Sequence, residues 1–426
     1  MAISEKTRLA YTEILKEELV LAMGCTEPIA VAYAASILAD ALGGEPLKIK
    51  AGFSGNIIKN VKSVTVPKTN GQQGLDTAIL AGIIAKKPEY KLRVLASLDE
   101  KDAERISEYK SRAEIEIYEL DTENVFDVLL FGTLGKSEAC VRLEKKHTNI
   151  AYVKLNGQDI TERYSNGERC IEESNTDRGL LNIRDIVEYA DTVSLDEIRP
   201  YIERQIDENM KIANEGIRGE WGACIGKTLY SASEDIRTRA RALAAAGSDA
   251  RMSGCELPVC IISGSGNQGI TASVPVVAYA NALGVSQELL IRSVIVSDLI
   301  TIHQKTGIGC LSAYCGAISA GCGCGCGICY MQGGKYEEIA HTLVNSLAIL
   351  SGTICDGAKP SCAAKIAMAV EAGIMGYEMM KNGNEFLSGE GIVTKGVENT
   401  IRNVGRLAKQ GMAQTDREII RIMLNK

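Results

Sequence analysis

The sequence has few aromatic residues, few histidines and no excess of basic residues, and these shortages exclude several classes of protein. One tryptophan and four phenylalanines among 426 residues imply a core of small and aliphatic side chains. The net charge of −7 argues against a nucleic-acid-binding surface, which needs a clustered basic face. Residues 1–15 show neither an apolar leader pattern nor an acid-poor transit pattern, so we expect a cytoplasmic protein without a membrane span.

Nucleotide-binding motifs are also missing. The glycine-rich turn Ser263-Gly-Ser-Gly-Asn-Gln-Gly269 lacks the Gly-Lys-Ser/Thr ending of a phosphate-binding loop and is not the dinucleotide fingerprint that follows a strand. Its backbone donors, and those of the Ser54-Gly-Asn56 turn, suit a carboxylate instead. A plain loop is the alternative interpretation of the longer turn.

Cysteine is abundant, with 14 residues in the chain. The 29 residues from Thr306 to Gly334 carry no charge and contain Cys310, Cys315, Cys322, Cys324, Cys326 and Cys329. Cys355 and Cys362 follow shortly after. Thiols this dense in a large chain without a signal peptide indicate soft-metal ligation or redox chemistry rather than structural disulfides.

Two kinds of metal centre fit these cysteines. Cys315, Cys355 and Cys362 lie in separate turns and could bind three irons of a cubane cluster while the fourth iron stays open. The Cys-x-Cys-x-Cys-x2-Cys array from Cys322 to Cys329 could hold a tetrahedral zinc ion instead. The same alternation of glycine and cysteine also suits close helix packing.

The pattern of elements predicts an α+β protein, with a mixed N-terminal α/β domain at residues 1–185 and a mostly helical domain at 186–426. The expected strands are 47–53, 91–98, 113–120, 125–130, 138–143 and 149–155, with the later ones pairing as antiparallel hairpins. Helices are expected at 4–22, 27–42, 73–86, 99–111, 184–192, 196–215, 233–253, 270–283, 287–302, 336–352 and 361–381.

Two further residues are candidates for proton transfer. Cys25 in Met23-Gly-Cys-Thr-Glu-Pro28 precedes a helix N-terminus, where unpaired N–H groups favour a thiolate. His303, one of three histidines, ends a helix next to the cysteine-rich run and is a candidate proton carrier. A buried cysteine ahead of a capped helix and an ordinary helix-terminal histidine are the alternatives.

Taken together, Met23-Gly-Cys-Thr-Glu-Pro28, Ser54-Gly-Asn56, Gly264-Ser-Gly-Asn-Gln-Gly269, Cys315 and Cys355-Asp-Gly-Ala-Lys-Pro-Ser-Cys362 resemble the iron–sulfur L-cysteine desulfidase family. The helical half of that family is similar to the catalytic α region of bacterial iron–sulfur L-serine dehydratases. The resemblance covers essentially the whole chain. It implies a [4Fe-4S] cluster with one labile iron, and conversion of L-cysteine to pyruvate, ammonia and sulfide without pyridoxal phosphate.

The resemblance also implies roles for individual residues. Cys315, Cys355 and Cys362 match the cluster-binding positions, and Cys25 matches a cysteine that acts as the α-proton base or as a displaceable fourth ligand. The expected substrate contacts are Glu27, Ser54, Asn56, Ser265, Asn267 and Gln268. The chain departs from the family pattern at Cys322 to Cys329, where small residues such as alanine and glycine are usual.

Alternative functions stay open at this point. An L-serine or related amino-acid dehydratase would use the same cluster, because both substrates share the backbone groups and differ only in the leaving atom. A zinc- or iron-binding sensor protein would use the glycine and cysteine array. For the enzyme we expect a small amino-acid substrate and neither a nucleic-acid nor a membrane partner, and a homodimer is compatible with the sequence.

Overall fold

The computed structural model describes residues 3–165, 176–309 and 312–424. Cys310, one of the cysteines of the uncharged run, lies outside these ranges. The fold is α+β, as predicted, with a mixed sheet in the N-terminal half and helices in the remainder. None of the described helices combines the length and the apolar character that crossing a membrane requires.

The N-terminal half alternates helices and strands. The helices are α1 (Glu5–Glu18), α2 (Thr26–Leu42), α3 (Gly55–Val61), α4 (Gly74–Ala85) and α5 (Glu100–Arg112). The strands are β1 (Val20–Met23), β2 (Lys48–Phe53), β3 (Glu114–Glu119), β4 (Asp127–Leu134), β5 (Ser137–Glu144), β6 (Ile150–Leu155) and β7 (Gln158–Asp159). Short 3₁₀ helices cover Pro88–Ser97 and Thr161–Arg163.

The C-terminal half is helical apart from one strand, β8 (Pro258–Ile261). Its α-helices are α6 (Ile183–Thr192), α7 (Arg199–Arg218), α8 (Ile225–Ala232), α9 (Ile236–Met252), α10 (Gly266–Leu283), α11 (Gln287–Ile308), α12 (Gly316–Met331), α13 (Tyr336–Ile349), α14 (Cys362–Lys381), α15 (Val397–Arg406) and α16 (Ala413–Leu424). A 3₁₀ helix at Arg178–Leu180 and a π-helix at Leu407–Gly411 complete the described elements.

A six-stranded sheet has the order β3-β2-β4-β5-β6-β7. Strand β2 pairs with β3 in parallel, and the remaining neighbours are antiparallel, including the predicted hairpins. Alternate residues such as Val128, Leu130 and Val141 are fully buried against α2. The edge strand β3 is mostly exposed, and its glutamates pair with Lys48 and Lys50 of β2, which makes the edge unsuited to pairing with another chain.

Two segments differ from the prediction. Residues 91–98 were expected to form a strand, but most of them belong to the 3₁₀ helix Pro88–Ser97, because the buried residues, Val94, Leu95 and Leu98, lack the alternation of a half-buried strand. The helix expected at 4–22 ends at Glu18, and the following residues form β1. Strand β1 pairs antiparallel with β8, a long-range contact that local periodicity does not reveal.

Two hydrophobic cores follow from this arrangement. One is formed by α2, α4 and the large sheet, with Ile29, Leu38 and Phe53 among its buried residues. The other is formed by the C-terminal helices, and it includes residues of α1 such as Tyr11 and Ile14. The domain boundary near residue 185 stays a prediction.

Helix α12 lies at the centre of the helical half, between α11, α14 and α10. A Cβ added at Gly321 would lie 2.2 Å from the Ala369 carbonyl oxygen of α14, and one at Gly323 would lie 2.5 Å from the Ser297 oxygen of α11. The glycines therefore allow the backbones to approach closely. The same core also buries the four cysteines of α12, which are Cys322, Cys324, Cys326 and Cys329.

Candidate active site at four converging helix N-termini

A cavity of about 110 Å³ lies where the two halves of the chain meet. At roughly 10–15 Å³ for each water-sized group, it holds a molecule of about ten non-hydrogen atoms. It is lined by residues from both halves, among them Cys25, Glu27, His147, Arg251, Ser265, Asn267, Gln268, Lys305, Tyr314, Cys315, Cys355 and Cys362. Eight of the residues predicted for the site are in this group.

Four helix N-termini meet at this cavity. Cys25, Ser265 and Cys315 are the N-cap residues of α2, α10 and α12, and Cys362 is the first residue of α14. None of the three N-cap side chains accepts a capping hydrogen bond from a backbone N–H of its helix, so N–H groups and the positive ends of the helix dipoles are left for another group. The arrangement favours a bound anion, although burial keeps the thiol of Cys25 protonated, contrary to the thiolate predicted there.

Backbone contacts hold these turns together. Thr26 Oγ1 donates to the Gly264 carbonyl oxygen (2.9 Å), which joins the start of α2 to the turn before α10. The Cys315 N–H donates to Thr353 (3.1 Å) and the Cys355 N–H to Ala313 (2.6 Å). Two segments forty residues apart are thus brought side by side.

Cys315, Cys355 and Cys362 line one side of the cavity. The hydrogen bond from the Cys315 thiol, together with the positive charges of Lys59 and Lys365, lowers the pKa of Cys355 to about 6. That shared hydrogen bond and burial raise the pKa of Cys315, and burial raises the pKa of Cys362. Cys355 is therefore the thiol most ready to ionise.

These three thiols suit the cluster that the resemblance implies. They are free cysteines from separate turns, close enough to influence one another electrostatically. Among the described residues, no three His, Cys, Asp or Glu side chains form a group able to hold a single metal ion. The ligands of a cubane bind different irons, so they need not converge on one point.

Cys25 and Glu27 lie at the start of α2 and are hydrogen-bonded to each other. The Cys25 thiol donates to Glu27 Oε2 (3.0 Å), and Asn60 Nδ2 donates to Oε1 (3.1 Å). Burial opposes ionisation of Glu27, but His147 and the Cys25 hydrogen bond outweigh it and lower the pKa of the carboxyl. Burial and the negative charge of Glu27 raise the pKa of Cys25 well above its usual value. The pair is thus a carboxylate beside a protonated thiol.

Several polar atoms in the cavity wall have no partner. Within the described parts of the chain, His147 Nε2, Arg251 Nε, Gln268 Oε1 and Tyr314 Oη are buried and unbonded. Buried polar groups are rarely left unpaired, because each unpaired group costs about 1–3 kcal/mol. The cavity is therefore prepared for a polar ligand.

Three predicted site residues lie outside this cavity wall. His303 Nε2 is 2.7 Å from Glu398 Oε2, and the Ser54 hydroxyl donates to the Val125 carbonyl oxygen (2.8 Å). Asn56, in the first turn of α3, is not among the lining residues either. The structure does not bring these three to the other candidates, and their roles stay predictions.

Sequence reasoning missed other residues of the wall. Lys305 lines the cavity although His303 was singled out in the same motif; two positions on a helix are about 200° apart, so the two side chains face different ways. Arg251 follows the alanine-rich stretch of α9, but that helix carries several other charged residues, so no local signal distinguished it. His147 carried no recognisable local pattern.

The chain is similar to known proteins over most of its length. Residues 89–421 match the family model described as serine dehydratase alpha chain. A UPF0597 protein of Desulfitobacterium hafniense (strain Y51) is 51% identical over 418 residues, covering 98% of this chain and 96% of the relative. A UPF0597 protein of Treponema denticola is 43% identical over 430 residues, covering 100% of both chains. With this coverage and a cavity lined by the cysteines of its helical half, the chain belongs to the serine dehydratase alpha-chain family.

Proposed function

We propose that this protein is an L-cysteine desulfidase, a lyase that holds a [4Fe-4S] cluster through Cys315, Cys355 and Cys362. The observation that supports it is the meeting of these three thiols with Cys25 at one cavity. When bound, the cluster supplies an open iron that stabilises the sulfur leaving group. The products are sulfide and aminoacrylate, which gives pyruvate and ammonia with water.

The protein's own residues provide the base. Elimination requires removal of the weakly acidic α-proton, and this needs a strongly basic group at the right place. Cys25, in its thiolate form, takes the proton from the substrate Cα, and Glu27, whose Oε2 lies 3.0 Å from the Cys25 sulfur, holds that side chain in position. The raised pKa of Cys25 makes that thiolate a strong base. Asn60 and Thr26 keep the Glu27 carboxylate in place by hydrogen bonds.

The helix N-termini hold the substrate and the thiolates. The first turn of α10, with Ser265, Asn267 and Gln268, lines the wall beside Cys25, where its N–H groups suit a carboxylate. We also propose that the protein acts in the cytoplasm, where thiols stay reduced.

A second candidate is an L-serine dehydratase that uses the same cavity. The observation that favours it is the family match itself, since the matching model describes a serine dehydratase. The two reactions differ only in the leaving atom. A metal sensor that uses the Cys322 to Cys329 array has less support, because the Cys324 thiol bonds to the Gly321 carbonyl of its own helix and the array is closely packed.

The test is anaerobic purification and reconstitution, followed by quantification of iron and acid-labile sulfide. Turnover is then measured with L-cysteine, L-serine and L-threonine, with detection of sulfide, pyruvate and ammonia. Sulfide release from L-cysteine supports the first proposal. Pyruvate from L-serine without sulfide from L-cysteine supports the second candidate and overturns the first.

Cysteine variants test the cluster ligands separately from turnover. Replacing Cys315, Cys355 or Cys362 by alanine is expected to lower the iron content and to bleach the brown colour. Cys140→Ser is the matched control, because Cys140 is a half-buried free cysteine on β5, away from the cavity. Full iron content in all three alanine variants would rule out the proposed ligands.

A further inference from the structure

Arg251 is a buried charge that forms no ion pair among the described residues. Its side chain ends helix α9 at the cavity, and the residue is 3% exposed. One nitrogen, Nη1, donates to the Asn267 side-chain oxygen (3.1 Å), and Nε has no partner among the described residues. Removing a guanidinium from water is costly unless an anion compensates for it. The structure thus leaves a place for an anion beside Arg251.

The surroundings of Arg251 point to the same kind of ligand. Its guanidinium packs on Gly266 in the first turn of α10, where an added Cβ would lie 2.4 Å from Nε. The free N–H groups of this turn and the dipole of the 18-residue helix favour negative charge. Because Gly266 has no side chain, the Arg251 guanidinium and the N-terminus of α10 can both contact one bound anion.

The cavity also carries one negative group. Glu27 accepts hydrogen bonds from Cys25, Thr26 and Asn60, none of which brings a positive charge. Arg251 is near enough to act on Glu27 electrostatically, but the two form no direct ion pair among the described contacts. A guanidinium and a carboxylate that line the same small cavity match the two charges of a zwitterion.

We propose that Arg251 binds the α-carboxylate of the substrate, while Glu27 faces its α-ammonium group, so that the site accepts only free α-amino acids. In this orientation Cα lies beside Cys25, which is bonded to Glu27, and the side chain extends toward Cys315, Cys355 and Cys362. The reaction that follows binding rests on the proposed function. The match between the charges of the cavity and those of the substrate concerns binding alone. N-acylated amino acids and amino-acid amides are then excluded.

The experiment measures equilibrium binding of three probes to the anaerobically reconstituted holoenzyme. 3-Mercaptopropionate has the thiol and the carboxylate, cysteamine has the thiol and the amine, and L-serine has both backbone groups. Arg251→Gln is expected to weaken binding of 3-mercaptopropionate and L-serine at least about 30-fold, as for loss of one partner of a buried charge pair. Cysteamine binding is expected to stay within about twofold.

Three further variants sharpen the test. Gly266→Ala keeps the guanidinium but displaces it, and should reproduce the selective loss even if Arg251→Gln does not fold. Arg251→Lys should recover part of the affinity, because it keeps the charge without the forked geometry. Arg218→Gln, at an exposed arginine that ends α7, is the matched control and should bind all three probes normally.

The outcomes separate the two proposals. Equal weakening of all three probes, or unchanged 3-mercaptopropionate binding in both Arg251→Gln and Gly266→Ala, would overturn the carboxylate assignment. If wild-type protein releases no sulfide from L-cysteine but L-serine binding still depends on Arg251, the assignment stands and the desulfidase function fails. If the protein releases sulfide from L-cysteine but L-serine binding does not depend on Arg251, the desulfidase function stands and the carboxylate assignment fails.

Discussion

Asp298 makes stability depend on pH in a way that can be calculated. It lies fully buried on α11, where Gln205 Nε2 donates to Oδ1 (3.0 Å) and Oδ2 has no partner among the described residues. Burial raises the pKa of Asp298 to about 8 from an ordinary value of 3.8. The carboxyl is therefore mainly neutral in the folded protein at pH 7, and ionised when the chain unfolds.

The sign of the effect follows from proton binding. Between pH 4 and pH 8 the folded state keeps a proton that the unfolded state releases, so the free energy of unfolding falls as pH rises. The slope from this one group approaches about 1.4 kcal/mol per pH unit. From pH 5 to pH 7 the wild type should therefore lose about 2.7 kcal/mol through Asp298.

Asp298→Asn removes this dependence while keeping the hydrogen bond from Gln205. The unfolding free energy of the variant minus that of the wild type should increase by about 2.7 kcal/mol from pH 5 to pH 7. Urea unfolding of both proteins at pH 5, 6 and 7 measures this quantity. Subtracting one protein from the other removes the contributions of the other titrating groups, which the two proteins share. Difference infrared spectroscopy at pH 7 should show a protonated carboxyl band that the variant lacks. A gap that is independent of pH would refute the reasoning.

The remaining predictions concern the base and the helix packing. Cys25→Ser should keep the iron content but slow sulfide release about 10²–10⁴-fold, the usual contribution of a positioned base; unchanged turnover would remove Cys25 from this role. Glu27→Gln, which loses the charge but keeps hydrogen-bonding capacity, should reduce kcat at least about tenfold in steady-state assays, and a wild-type rate would contradict a role for Glu27 in positioning Cys25. Gly321→Ala should cost about 1–3 kcal/mol in urea unfolding, because its Cβ would meet the Ala369 carbonyl. Gly352→Ala, with nothing within 4 Å, is the control, and equal loss in both would argue against close packing.

The fold class and most of the elements could be predicted from local patterns. Periodicity located the antiparallel strands β4 to β6 and the long helices, because each buries one regular face. It failed at residues 91–98, where a short apolar segment forms a 3₁₀ helix. It also missed β1 and β8, which exist only because they pair across more than 200 residues.

The sequence by itself indicated candidate residues at the cysteines and at the turns 23–28 and 263–269, because the place of a thiol or a polar side chain just before a helix is a local property. Tertiary structure alone decided which of them meet. It brought Cys25, Asn267 and Cys315 to one cavity and left His303 with Glu398. It also added Arg251, whose importance comes from burial without a counterion, and burial is a property of the whole packed chain rather than of any segment.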